Sequence, residues 1–115
     1  MMLSHIRYKA IDSIWPASLS PVISSQLLRQ QMGFSGIIMT DDLDMGAIKN
    51  HYDIHTIIRQ ILLSDVDMAL ICHKGPDIKN AFDEIGRQLD NDETLRQKNI
   101  ESVSRILTCK EKYLS

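Results

Sequence analysis

The stretch "GFSGIIMTDD", residues 33–42, changes character twice within a few positions. Gly33 suits the left-handed residue that closes a helix. "FSGIIMT" (34–40) then reads as a short buried strand, and Asp41 and Asp42 follow it without a break. A short, continuously apolar run between turn signals is the pattern of a strand covered on both faces. Carboxylates at its carboxyl end fall where α/β folds collect functional groups, because a rigid sheet holds the loops open there.

Upstream, Ser20 and Pro21 predict a helix start. The serine hydroxyl can cap free N–H groups, and proline at the first helical position sacrifices none. Ile23, Leu27 and Leu28 supply the apolar stripe of that helix. Before it, "RYKAIDSIWPASL" (7–19) lacks a clean period and reads as a loop, while "MMLSHI" (1–6) is apolar from its first residue. Downstream, "MGAIKNHY" (45–52) is a short helix or turn. Asp53 caps a helix carrying Ile57, Ile58, Ile61 and Leu62, and "DMALIC" (67–72) is the next buried strand. "HKGPD" (73–77) turns into a helix with Ile78, Phe82, Ile85 and Leu89 at spacings of three or four. Asp92 caps the last helix, with apolar positions Leu95, Ile100, Val103, Ile106 and Leu107 and with Lys110 and Lys112 near its negative end.

Strands alternating with helices give an α/β fold with about three parallel strands. A three-stranded open sheet leaves two edges unpaired, a liability for a free-standing protein. Either a second chain completes the sheet or these residues belong to something larger.

Composition narrows the function classes. The chain has 115 residues, 43% hydrophobic and 24% charged, with 13 basic against 15 acidic side chains. That is folded, globular chemistry and suits one domain. A formal net charge of -2 gives no field that would draw nucleic acid or a membrane surface. No run is long and apolar enough to span a bilayer or act as a secretion signal. Cys72 and Cys109 are too few and too distant for a disulfide scaffold or a zinc site. Cys72, in "MALIC", reads as a buried small hydrophobe. A reducing cytoplasm is the expected location.

Asp41, Asp42 and Asp44 form the one cluster that invites chemistry. The residues alone leave three roles open: a nucleophilic carboxylate, ligation of Mg²⁺ by hard oxygens, or capping of a solvated turn. A magnesium-dependent domain would need a further ligand or lysine at another strand end, and Lys74 is the candidate there. His51, His55 and His73 share no ligand spacing with one another or with His5 and read as surface or loop residues.

"GFSGIIMTDDLDMGAI" (33–48) resembles the signature of glycoside hydrolase family 3, Gly-Phe-x-Gly followed by an apolar pair and Ser/Thr-Asp-x-Leu-x-Met. The flanks are similar too. "MMLSHIRY" resembles the stretch ending in Ala-His-Ile or Ala-His-Val, and "WPASLSPVISSQLLRQQMGF" the segment carrying Pro-Ala-Ser/Thr-Leu-Ser-Pro. "VDMALICHKG" resembles the next strand, and "NIESVSRILTCKEKYL" the closing helix. The Asp-Asp-Leu-x-Met form is similar to the β-N-acetylhexosaminidase branch.

That resemblance implies a TIM-type (β/α) barrel, of which residues 1–115 would be the C-terminal portion. It implies Asp41 as the nucleophile of a retaining hydrolysis of terminal β-linked N-acetylhexosamine, from an N-acetylglucosamine-containing glycoside or a peptidoglycan fragment. Asp42 is left to solvate or cap the turn. His5 falls at a position near the sugar, and Met45 at a position packed beneath the site, so both are candidate substrate-binding residues. No cofactor and no metal are implied. The resemblance implies that the family's acid/base comes from an Asp-x-His pair following a Lys-His stretch that helps hold the sugar, both ahead of the position of His5, and neither precedes it here. "DIH" (53–55) has the right spelling at a helix start after the nucleophile and is no substitute. The 115 residues alone are therefore expected to be inactive, with a second chain completing the barrel as one resolution. A non-catalytic α/β module completed by a partner is the alternative.

Overall fold

The computed structural model describes residues 1–114. Three strands, β1 (Met2–Leu3), β2 (Met39–Asp42) and β3 (Met68–Leu70), form one sheet in the order β1-β2-β3. Both pairings are parallel. Sequence order equals spatial order, and each connection carries helix, which is the alternating arrangement expected of a stretch of (β/α) barrel. The sheet is open at β1 and β3 and does not close on itself.

The first crossover is a π-type helix, Val22–Gln31, entered through a network that the loop supplies. Asp12, buried in that loop, accepts from the backbone of Ile14 and Trp15 and from Ser20 Oγ at 2.6 Å. Ser20 Oγ in turn accepts from the Ile23 N–H at 3.1 Å, the cap expected of it. Gly33 closes the helix with φ +69°, and the Phe34 N–H returns to the Leu28 carbonyl.

After β2 come a short helix α1 (Gly46–Lys49) and then α2 (Ile54–Leu63). Asp53 caps α2 by accepting from Thr56 N–H at 2.7 Å. Ile57, Ile58 and Ile61 are buried, each burial stabilising by about 1.5–3 kcal/mol. They join Leu3, Leu19, Leu28, Ile38, Leu43, Ile48 and Val66 in the core. Beyond β3 run α3 (Pro76–Asn91) and α4 (Glu93–Leu114), the latter capped by Asp92 through the Leu95 N–H.

At the turn entering β3, Asp67 ties four elements together, and its side chain is fully buried. It accepts from Arg29 at 2.7 Å, Ile38 N–H at 3.0 Å, Ser102 Oγ at 2.6 Å and Arg105 Nε at 2.9 Å. Arg105 Nη2 lies 2.8 Å from the same oxygen but lacks hydrogen-bond geometry, so that contact is charge alone.

Three expectations need correcting. The strand begins at Met39 and reaches into the acidic pair, because Gly36–Ile38 are fixed instead by Asp67 and Arg29. Cys72 is exposed, since β3 ends at Leu70 and the thiol stands on the loop beyond it. The apolar stripes of the last two helices are only partly covered: Ile85, Leu89 and Ile106 are half-buried, and the rest of each stripe is largely exposed. On α3 the buried face is Ala81, Glu84 and Gln88, while Ile78 and Phe82 are 48% and 76% exposed. On α4 Ile100, Val103 and Leu107 are exposed, and Leu95 and Ser102 face the core.

Candidate active site at the carboxyl end of β2

The end of β2 is irregular. Met39 pairs with Met68 and Asp42 with Leu70, so three steps along β2 match two along β3. The extra residue is a bulge, a device that re-aims side chains beside functional sites. Thr40, fully buried, supplies its Oγ1 as acceptor for the Leu70 N–H at 3.1 Å, where the backbone ladder is interrupted. Asp41 sits in this bulge, half-buried.

Asp41 accepts the Asp42 N–H at 2.8 Å. Nearby basic side chains go to its neighbours. His73 faces Asp44 at 3.3 Å and Asp42 at 3.9 Å, and Lys49 pairs with Asp77 at 2.7 Å and Asp44 at 3.6 Å. Among the described residues Asp41 has no ion-pair partner of its own. Its second oxygen, Oδ2, has no hydrogen bond or ion pair among the described residues.

Asp42 does structural work. Its Oδ1 accepts from Asp44 N–H at 3.0 Å and from Cys72 N–H at 3.1 Å, stitching the loops after β2 and β3. The Asp44 donor holds the Asp42 carboxyl below the ordinary carboxylate range, with Cys72 adding to it against the cost of desolvation. The Cys72 thiol is pushed the other way, by desolvation and then by Asp42, and stays protonated. The turn-capping role expected of Asp42 is what the geometry contains.

His5 stands beyond β1 with Nδ1 2.7 Å from Ser18 Oγ and Nε2 2.7 Å from the Asp42 carbonyl. It borders a hollow shared with Arg7, Pro16, Ala47, His51 and Tyr52. Met45 heads α1 and is 43% exposed, so it is not packed beneath the site in these residues. The structure thus places His5 on the Asp42 carbonyl, next to Asp41 in the chain, and leaves Met45 exposed at the start of α1. Sequence reasoning missed Ser18, Thr40 and His73. Ser18 lies in a serine-rich loop segment and Thr40 in an apolar strand, with no local signal of their partners.

Asp42, Asp44 and His73 bring one ligand atom each within 4.8 Å of one another. One nitrogen and two carboxylates do not make the oxygen cage that Mg²⁺ prefers. Each carboxylate already serves backbone donors in the loop. The magnesium reading therefore gains nothing from the geometry.

A parallel α/β sheet with a free carboxylate at a strand's carboxyl end defines the class: an open piece of a (β/α) barrel with a strand-end acidic site. Residues 1–109 match the Glycosyl hydrolase family 3 N terminal domain, and the chain belongs to that family. The chain is 37% identical over 92 residues to a β-hexosaminidase of Thiobacillus denitrificans, covering 80% of this chain and 24% of that one. It superposes on the β-N-acetylglucosaminidase of Thermotoga maritima with a TM-score of 0.85 at 26% identity, over 93% of this chain and 24% of that one. A family 3 β-N-acetylglucosaminidase from Paenibacillus sp. gives a TM-score of 0.85 at 28% identity, over 96% and 21%. The chain spans about a quarter or less of the length of these relatives. No helix among the described residues is long and apolar enough to cross a membrane.

Proposed function

We propose that residues 1–115 are the C-terminal portion of a family 3 catalytic barrel that removes terminal β-linked N-acetylhexosamine with retention, and that Asp41 is its nucleophile. The observation carrying this is the Asp41 carboxylate: bulge-borne, at the carboxyl end of a parallel strand, oriented by one N–H and free of ion pairs. Asp41 attacks the anomeric carbon as the glycosidic C–O bond breaks, and the departing oxygen takes a proton from an acid. Water then attacks that carbon, displaces Asp41 and returns a proton to the same group as base. The substrate is an N-acetylglucosamine-containing glycoside, with a peptidoglycan fragment as the natural instance.

The acid/base comes from outside these residues, in a polypeptide that supplies the remaining strands. Two features support such a partner: the sheet edges at β1 and β3 are open, and Ile78, Phe82, Ile100, Val103 and Leu107 on α3 and α4 are exposed. The 115 residues alone do not turn over substrate, since acid/base assistance is worth about 10²–10⁴ in rate and positioning can be worth more. Two free cysteines, one exposed, fit the reducing cytoplasm as the location.

The test is complementation. The chain is mixed or co-expressed with the upstream β/α units of a related β-hexosaminidase, and chromophore release from an aryl β-N-acetylglucosaminide is followed. Release is expected only from the pair, and Asp41→Asn in a folded complex abolishes it. Undiminished release with Asp41→Asn would overturn the assignment.

A further inference from the structure

His5 spends both of its ring nitrogens. The Asp42 carbonyl can only accept, so Nε2, 2.7 Å away, carries the proton. In the neutral ring Nδ1 then offers a lone pair, and the Ser18 hydroxyl at 2.7 Å donates to it. Ser18 cannot turn away to water: it is fully buried, and its N–H is bonded to the Ser4 carbonyl at 3.0 Å. The neighbouring Ala17 N–H is bonded to the Ile6 carbonyl at 2.8 Å, so the stretch around His5 and the turn Ala17–Leu19 are clamped on both sides of the ring.

The far end of this bridge is the residue that orients the nucleophile. Asp42 is held at its carbonyl by His5 and by Met45 N–H at 3.2 Å, and at its carboxylate by the N–H groups of Asp44 and Cys72. Its own N–H is what Asp41 Oδ1 accepts. Turning the imidazole toward a sugar would orphan the buried Ser18 hydroxyl and release one anchor of Asp42.

We propose that His5, backed by Ser18, is a positioning residue: its ring, donating from Nε2–H, bridges the Ala17–Leu19 turn to the Asp42 carbonyl, fixing the N–H that orients the Asp41 carboxylate and leaving no ring nitrogen for substrate. This rests on the reading of Asp41 as nucleophile but departs from a substrate-facing role for His5. The arrangement matters because catalysis penalises small displacements: an error of about 1 Å in a reacting group can cost about 10²-fold.

The experiment has two arms. In the 115-residue chain, long-range ¹⁵N correlation spectra of the imidazoles above their titration range should show His5 protonated at Nε2, and Ser18→Ala should move only its Nδ1 resonance. Hydrogen exchange of the Asp42 amide should quicken about tenfold in His5→Ala, the effect of losing one ordinary hydrogen bond. His5→Gln, which can return an amide N–H to the Nε2 position, should restore it. A ring protonated at Nδ1 alone, or Asp42 exchange indifferent to Ser18→Ala and His5→Ala, overturns the proposal. If His5→Ala does not fold, the tautomer and Ser18→Ala decide. In the complemented enzyme, His5→Ala should lower kcat about 10²-fold with KM held, whereas a sugar-binding histidine would raise KM. A raised KM with kcat kept overturns positioning. A bridge confirmed by spectroscopy in a wild-type complex without turnover would instead sink the nucleophile reading while the bridge stands.

Discussion

Replacing Asp67 by Asn should cost this fold about 3–5 kcal/mol, the range for removing one partner from a buried charge pair. The side chain is fully buried, and those of Arg29 and Arg105, its two guanidinium partners, are only 11% and 18% exposed. Burial pushes the Arg29 guanidinium down while Asp67 pulls it back up, so the carboxylate sustains that buried cation. Asparagine keeps the volume and can still accept from Ile38 N–H or Ser102. Its amide hydrogens, however, would face guanidinium hydrogens, and two buried cations would lose their shared counter-charge. Against an ordinary total of about 5–15 kcal/mol, the loss is a large fraction of stability. Urea unfolding followed by circular dichroism reads it directly. With a slope of about 1.5 kcal/mol per molar, a loss of about 3 kcal/mol lowers the midpoint by about 2 M. The slope should stay constant, showing that stability and not compactness changed. A loss below about 1 kcal/mol, the worth of an exposed pair, would refute the claim that Asp67 is the junction of β3, β2, the π-type helix and α4.

Other expectations are shorter. Asp53→Ala should destabilise by about 1 kcal/mol through loss of the α2 cap, read as a lower urea midpoint. Phe82→Gln should cost less than about 0.5 kcal/mol, because the ring is 76% exposed, read as an almost unchanged urea midpoint. A core-sized loss there would contradict the exposure of that ring. Asp42 has a folded-state carboxyl lower than in the unfolded chain, so the unfolded state binds its proton first. Its stabilisation is complete above the ordinary carboxylate value of about 3.9 and is lost as pH falls through the lower folded value. Exchange of the Asp44 and Cys72 amides should therefore lose its protection in that acid window, and Asp42→Asn should abolish the step.

Much was legible in advance because it depends on neighbours in sequence. Ser20 and Asp53 cap helices through donors three residues on, and Gly33 takes the left-handed angle that closes its helix. The apolar stretches 1–6, 34–40 and 67–72 declared parallel strands, and the acidic pair after the second stood where α/β folds collect functional groups. Periodicity failed on α3. Ile78, Phe82, Ile85 and Leu89 do share one helical face, but only Ile85 and Leu89 are half-buried while Ile78 and Phe82 are exposed, since a pattern reports which residues lie together and not how much of that face another element meets. Here Ala81, Glu84 and Gln88 turn inward, Glu84 ion-paired with Arg87 and Gln88 bonded to the His55 carbonyl.

The sequence by itself determined the helix starts capped by Ser20 and Asp53, the alternation of strands and helices in an α/β fold, and the acidic run beside the second strand, since each follows from short-range sterics or a local pattern. Only the tertiary structure decided that β2 bulges at Asp41, that Asp67 gathers two arginines from opposite ends of the chain, and that His5 is clamped between Ser18 and the Asp42 carbonyl. These depend on groups brought together across 13 to 38 residues, and a carbonyl's direction or a buried donor's need for a partner is not encoded in the residue that meets it.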